Sequence, residues 1–288
     1  MKMKCLLIII LITYICLLSG CNRANVDSSL KPDNTFDTFA INETVNYKYD
    51  KNSSTLFFYG TGTLTKDCHF YSEIATIENP QHIVISDGIK QIGDGFFSYT
   101  IDGNTGKERN HFNSIESVEI TGKINEIEKF AFAHCSNLIE ISIPSGTTRI
   151  GECAFQGCIN LQSINIPDSV KSIEPSAFKG CSALNEIIFP SNLSSLSENV
   201  CEGCKNLKKV SILSSTTEIK TKAFYNCQNL RSIEIPLSVK NIGEYAFGYF
   251  PGDNGYYEKI DNFTIEGHKN SSAQTYAQKN GFTFIGLN

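Results

Sequence analysis

Apolar residues recur along this chain with a period of 23 residues, and they do so in several columns at once. Columns that stay in register at a fixed period of about 20 to 50 residues are the sequence signature of stacked structural repeats. The columns hold cysteine, leucine, isoleucine or phenylalanine: Cys135, Cys158, Cys181, Cys204 and Cys227; Leu138, Leu161, Leu184, Leu207 and Leu230; Ile127, Ile150, Ile173, Leu196, Ile219 and Ile242; Phe132, Phe155, Phe178, Phe224 and Phe247, with Cys201 standing for one phenylalanine.

Within one repeat, the spacing of apolar residues predicts two short strands and a turn. Ile141 and Ile143 alternate with polar residues, as a strand with one buried face requires. A proline, which cannot donate a ladder hydrogen bond, ends this strand in four repeats. A second extended piece ends at Ile150, and residues 152–155 suit one helical turn with Phe155 pointing inward. Because a single coil cannot hide its apolar side, stacked coils must share one core.

The limits of the repeat divide the chain into regions. We predict an N-terminal cap over 38–80, repeats over 81–262 and a C-terminal cap over 263–288, in which Ser272 is the N-cap of a helix that ends before Gly281. Two insertions interrupt the period, one of about 12 residues near Thr100 to Asn110 and one of 7 residues around 251–255.

The first residues have the pattern of an export signal. Lys2 and Lys4 precede an apolar run that is too short to span a bilayer comfortably. The run ends in Leu-Ser-Gly-Cys at 18–21, which resembles a bacterial lipobox. That resemblance implies that 1–20 is a lipoprotein signal peptide and that Cys21 carries the lipid; an uncleaved anchor or an ordinary signal peptide is the alternative. Residues 21–37 are rich in Asn, Asp and Ser and predict a flexible tether.

The repeat itself has a family resemblance. The pattern C-x-x-L-x-x-I-x-I-P…I-G-x-x-A-F-x-G-C resembles the BspA-like leucine-rich repeats of bacterial surface proteins, over roughly residues 50 to 288. It departs from the family at Leu213, Cys201 and Asn226, which replace proline, phenylalanine and glycine, and at the two insertions. We therefore expect a repeat solenoid: a right-handed leucine-rich-repeat stack of about eight coils, with a parallel β-sheet face, short helical turns and a cap at each end.

Composition and motifs argue against several functions. A chain that is 41% hydrophobic and 19% charged is globular, and a net charge of −5 does not favour nucleic acid. Motifs for metalloproteases, serine hydrolases and phosphate binding are missing from the sequence. We expect no enzyme, no cofactor and no metal site. An unrecognised enzymatic site near Asp67, His69 and Glu73 is the alternative.

Cysteine and asparagine columns each allow a functional and a structural interpretation. The Cys201-x-x-Cys204 pair could bind zinc or do redox chemistry, but both residues occupy core columns of the repeat. Neighbouring cysteines, about 4.8 Å apart, are poorly placed for disulfides, so we predict buried free thiols. We expect the asparagines at 137, 160, 206 and 229 to satisfy backbone groups in the turn before each strand.

Function is predicted to lie on the outward side of the strands. Outward positions vary from repeat to repeat, whereas the core columns hardly change. We predict a lipid-anchored cell-surface protein that binds another protein, carried by a host or a neighbouring cell, as in adhesion. The alternatives are binding by the inserted loops, and a structural or glycan-binding role in the cell envelope. The candidate binding column contains Glu119, Ser142, Asn165, Ile188, Ser211 and Glu234.

Overall fold

A computed structural model describes residues 36–41, 44–65, 77, 79–98, 100–101, 108–109 and 112–287. The predicted signal peptide, Cys21 and residues 22–35 lie outside the described residues, as do Asp67, His69 and Glu73. Among the described residues, no helix has the length and apolar character that crossing a membrane requires.

The described chain is built almost entirely from short strands. Their bounds in chain order are β1 Phe36–Ala40, β2 Val45–Asp50, β3 Thr55–Gly60, β4 Gly62–Leu64, β5 His82–Ile85, β6 Ile89–Ile92, β7 Thr100–Ile101, β8 Glu108–Arg109, β9 Ser117–Ile120, β10 Glu126–Ile127, β11 Glu140–Ser142, β12 Arg149–Ile150, β13 Ser163–Asn165, β14 Ser172–Ile173, β15 Glu186–Ile188, β16 Ser195–Leu196, β17 Lys209–Ser211, β18 Glu218–Ile219, β19 Ser232–Ile235, β20 Asn241–Ile242, β21 Tyr249–Pro251, β22 Tyr257–Lys259, β23 Thr264–His268 and β24 Thr283–Leu287.

One strand from each coil forms what we call the first ladder. Strands β1, β2 and β3 pair antiparallel, and from β3 onward the strands β5, β9, β11 and β13 add in parallel. The ladder continues with β15 beside β17 and with β19, β23 and β24. Ile141 lies opposite Val118 on one side and Ile164 on the other, so the inward isoleucine column is in register. The predicted solenoid, with eight coils from β5 to β23 in the described chain, is confirmed.

The second extended piece of each coil forms the second ladder. It contains β4, β6, β10, β12 and β14, followed by β16, β18 and β20, all in parallel. Ile127, Ile150 and Ile173 face the core and are fully or almost fully buried. Each of these strands is two residues long over most of the ladder, because a polar residue precedes the isoleucine and a turn comes after it.

The third side of each coil differs from the sequence-based expectation. Residues 152–155 do not form a helical turn, because Cys153 has φ 55° and lies in the left-handed region. The N–H groups of Cys153 and Phe155 donate to the next coil, to the carbonyls of Pro175 (3.0 Å) and Ala177 (2.8 Å). A backbone that bonds to its neighbouring coil in this way cannot also close the i to i−4 bonds of a helix.

Caps lie at both ends of the stack of coils. At the start, the antiparallel β1 and β2 lie beyond β3; β1 begins at Phe36, within the predicted tether. At the other end, helix α1, Ser272–Asn280, buries Ala273, Tyr276 and Ala277. Its N-cap is Ser271 rather than the predicted Ser272, because the Ser272 hydroxyl instead donates to the Val239 carbonyl (2.6 Å).

The core contains a stack of phenylalanine rings beside the cysteine column. Phe155 lies between Phe132 and Phe178, at centroid distances of 5.4 and 5.6 Å with nearly parallel rings. The predicted free thiols are confirmed: the cysteines of the column are buried and unpaired. Cys158 Sγ donates to the Phe132 carbonyl (3.1 Å) and Cys181 Sγ to the Phe155 carbonyl (3.2 Å). A thiol is thus small enough for the column and still satisfies a buried acceptor.

Candidate functional site

The six predicted binding residues lie on six consecutive strands of the first ladder, from β9 to β19. Ser142 is in register with Asn165, and Ile188 with Ser211. Ser211 is half-buried and the other five are exposed, including Ile188, whose exposed fraction is 53%. The structure therefore gathers them into one outward column, while their role in binding stays a prediction.

A second outward column runs beside the first. The two columns flank the buried residues Val118, Ile141 and Ile164, because successive side chains of a strand point to opposite faces. We call the two outward columns together the sheet face. The second column contains Ser117, Glu140, Ser163, Glu186, Lys209 and Ser232.

The sheet face is rich in carboxylates. Glu119, Glu140, Glu186 and Glu234 are exposed on it, against one basic residue of the two columns, Lys209. Small polar side chains separate the glutamates. The face therefore presents negative charge spread over several strands rather than one acidic cluster.

The first column extends further than the sequence analysis predicted. Glu266 on β23 is in register with Glu234, and Ile285 on β24 comes next with an exposed fraction of 49%. The insertion between β20 and β23 breaks the 23-residue period, so periodicity alone could not assign them. The sequence signal for β23 was the alternation of apolar and polar residues at Phe263, Thr264 and Ile265.

Both insertions contain antiparallel hairpins, β7–β8 and β21–β22. In the second hairpin, Tyr257 packs against Tyr245 with a centroid distance of 3.9 Å. Lys222 Nζ lies 5.1 Å from the Tyr257 ring, and its hydrogen bond to Tyr257 raises the pKa of Lys222. Tyr256 has an exposed fraction of 78%, so this hairpin presents one strongly exposed aromatic ring.

The Cys201-x-x-Cys204 pair has a structural role in the core. Cys201 and Cys204 are fully buried, and burial raises the pKa of Cys201 well above its ordinary value. A buried thiol with a raised pKa is a poor nucleophile and a poor metal ligand. Within the described ranges, no three His, Cys, Asp or Glu side chains are grouped as a metal site would require.

The asparagine column is an exposed ladder of side chains. Asn160 Nδ2 donates to Asn137 Oδ1 (3.4 Å), and Asn229 Nδ2 donates to Asn206 Oδ1 (3.2 Å). The expectation that these amides satisfy backbone groups is wrong for these pairs, because the 23-residue stacking places each amide beside its own equivalent.

The repeats match a known family of bacterial proteins. The sequence profile described as BspA type leucine rich repeat region matches in six copies over residues 105–231 and 195–258, more than half of the chain. No curated protein matches the sequence significantly.

Two crystal structures resemble the fold. A leucine rich cell surface protein from Faecalibacterium prausnitzii A2-165 is 23% identical, with a TM-score of 0.52 over 86% of this chain and 65% of that one. A leucine-rich repeat protein from Bacteroides ovatus ATCC 8483 is 25% identical, with a TM-score of 0.51 over 79% of this chain and 55% of that one. The present chain thus spans less than two thirds of either protein. By its repeats, the chain belongs to the BspA type leucine rich repeat family.

Proposed function

We propose that the protein is a lipid-anchored cell-surface protein that binds another protein through the sheet face. One observation carries the proposal: exposed, variable side chains are held in register on a ladder whose inward residues hardly vary. Such a ladder fixes the positions of the outward groups before binding, which lowers the entropic cost of association. The Faecalibacterium structure, described as a cell surface protein, supports the same location.

The charge of the sheet face favours a partner with a basic surface. Glu119, Glu140, Glu186 and Glu234 spread negative charge over the strands from β9 to β19. Complementary charge steers association and adds specificity more than affinity. We therefore expect association to slow as the salt concentration rises, since exposed charges are screened within about 10 Å at 0.1 M ionic strength.

Binding of the soluble protein to a panel of purified extracellular matrix and cell-surface proteins tests this proposal. Ser142→Arg places a large positive side chain in the middle of the sheet face. The matched control is Ser194→Arg, an exposed serine beside the second ladder. We expect loss of binding with the first variant and unchanged binding with the second.

A variant of the β21–β22 hairpin tests the alternative that the inserted loops, rather than the sheet face, bind the partner. If Tyr256→Ala abolishes binding while Ser142→Arg leaves it unchanged, the partner contacts the β21–β22 hairpin and the sheet face is excluded. A glycan array with the same variants separates protein binding from the glycan-binding alternative, because a glycan ligand would bind without any protein partner.

The anchor has its own test. Cys21→Ser removes the thiol that would carry the lipid, so we expect the protein to move from the membrane fraction to the soluble fraction and to lose incorporation of radiolabelled palmitate. Unchanged labelling of the variant would contradict lipidation at Cys21.

A further inference from the structure

The second ladder ends in an open groove beside β20. Where the next coil would supply another strand, the chain instead supplies helix α1. A helix cannot approach a strand edge as closely as another strand does, because its side chains stand between the two backbones. The space left has a volume of about 710 Å³, which is within the usual range of ligand-binding clefts. Leu237, Tyr245, Thr275 and Lys279 are among the residues that line it.

Two backbone carbonyls of this open edge lack the partners that their equivalents have. In the preceding coil, the Thr217 carbonyl accepts from the Lys240 N–H (2.7 Å) and the Ile219 carbonyl from the Gly243 N–H (2.8 Å). One coil further on, the equivalent carbonyls belong to Lys240 and Ile242. Among the described residues, no backbone N–H donates to either of them. The edge therefore presents two acceptors with the spacing of a parallel ladder.

Side chains at the groove also depart from the repeat. Ile242 is half-buried, whereas its equivalents Ile150, Ile173 and Ile219 are fully or almost fully buried. Leu237, with an exposed fraction of 53%, stands in a column that holds serine or aspartate in the four preceding coils. Apolar surface thus lies next to the open carbonyls, as a site for an extended peptide requires.

Hydrogen bonds fix helix α1, one wall of the groove, to the rest of the chain. Ser272 Oγ at the start of α1 donates to the Val239 carbonyl (2.6 Å). Near the end of the helix, Tyr249 Oη donates to Asn280 Oδ1 (2.9 Å). The helix is thus attached at two places, so an incoming segment would meet a preformed groove rather than have to open one.

We propose that this groove binds an extended polypeptide segment of a partner protein, which adds to β20 as a parallel strand. The molecule itself indicates the occupant, because each earlier coil fills the equivalent position with such a segment. The segment at 217–220 donates its N–H groups at Thr217 (2.8 Å) and Lys220 (2.9 Å), and Ile219 between them packs inward. The partner segment needs the same three features: two backbone N–H groups three residues apart and an aliphatic side chain between them. The site is separate from the sheet face, so either proposal can fail without the other.

A peptide copied from the chain tests the groove directly. The probe is acetylated and amidated Thr-Thr-Glu-Ile-Lys-Thr, the sequence of residues 216–221, titrated into the isotopically labelled protein and followed by NMR. We expect saturable shifts in residues 240–243 and in α1. The same peptide N-methylated at the positions of Thr217 and Lys220 keeps its side chains but loses both donors, so we expect its affinity to fall roughly tenfold or more.

Two protein variants complete the test. Thr275→Trp places a bulky ring in the groove and is expected to abolish binding, whereas Gln278→Trp, also exposed on α1 but outside the groove, is the matched control. Ser142→Arg is expected to bind the peptide normally. The proposal is overturned by absence of saturable binding at millimolar peptide, or by binding that is indifferent to N-methylation or to Thr275→Trp.

Discussion

Two coils of the same solenoid fill their cores with different residues. In the regular coil, Phe155 stacks between its equivalents in the adjacent coils. Two coils later, the smaller side chain of Cys201 occupies that column and is fully buried. Phe189, in a column that otherwise holds isoleucine, is fully buried in the same coil, and its ring lies 6.1 Å from Phe224 at an interplanar angle of 69°. We infer that Phe189 supplies in this coil the core volume that a phenylalanine at position 201 supplies in the regular coils.

The largest effect is expected in the regular coil. Phe155→Ala removes a fully buried ring from the middle of a stack, so we expect a loss of about 3–5 kcal/mol in the free energy of unfolding, measured with urea. Ile188→Ala, on the exposed side of the irregular coil that contains Phe189 and Cys201, should change it by about 0.5 kcal/mol or less. Equal losses in the two variants would refute the assignment of inward and outward columns.

A double-mutant cycle tests whether the irregular coil has exchanged volume between two columns. Cys201→Phe alone overfills the layer and should cost about 1–3 kcal/mol. Phe189→Ile alone leaves a cavity. Together they restore the regular pattern. We therefore expect the double variant to lose less free energy of unfolding than the two single losses added together, by about 1 kcal/mol or more.

Additive losses would show that Phe189 and Cys201 do not share a layer. The control combines Phe189→Ile with Cys135→Phe, an overfilling substitution in the cysteine column two coils away, where the added ring cannot exchange volume with position 189.

We expect buried thiols in the regular and the irregular coils to make the free energy of unfolding depend on pH in the same way. Burial raises the pKa of Cys158 from 9.0 to about 12, and burial also raises that of Cys201. Above pH 9 the unfolded chain loses these protons while the folded chain keeps them. The contribution of the thiols to the free energy of unfolding is therefore complete below pH 9 and decreases as the pH rises toward 12. The slope is about 1.4 kcal/mol per pH unit for each such thiol.

Variants that lack one thiol measure this effect. Cys158→Ala and Cys201→Ala should each make the loss of stability between pH 9 and pH 11 shallower by up to one proton, in unfolding experiments at a series of pH values. An unchanged slope in both would show that these thiols do not ionise on unfolding in this range.

The periodic columns are sufficient to predict the fold. Buried cysteines, inward isoleucines and the outward column all result from one 23-residue register, because every coil must meet the same neighbours. Phe189 and Cys201 are visible in the sequence as two departures from the repeat in one coil. The inferred exchange of volume between them is not, because the register does not show which side chains share a core layer.

Other features depend on contacts that the pattern does not specify. The left-handed turn at Cys153 results from hydrogen bonds to the next coil, and cysteine has no sequence preference that indicates it. The groove at β20 exists because α1 replaces a strand. Its one sequence signal is Leu237 in a polar column, which is weak because the sequence does not show that a helix packs beside that coil.

Photocrosslinking on intact cells tests the central functional claim most directly. A benzophenone amino acid at position 142, in the middle of the sheet face, is compared with the same group at position 194, beside the second ladder. The proposed function predicts a discrete protein adduct from position 142 and none from position 194. An adduct from position 194 alone, or from neither position when cells and partner are in contact, would contradict it.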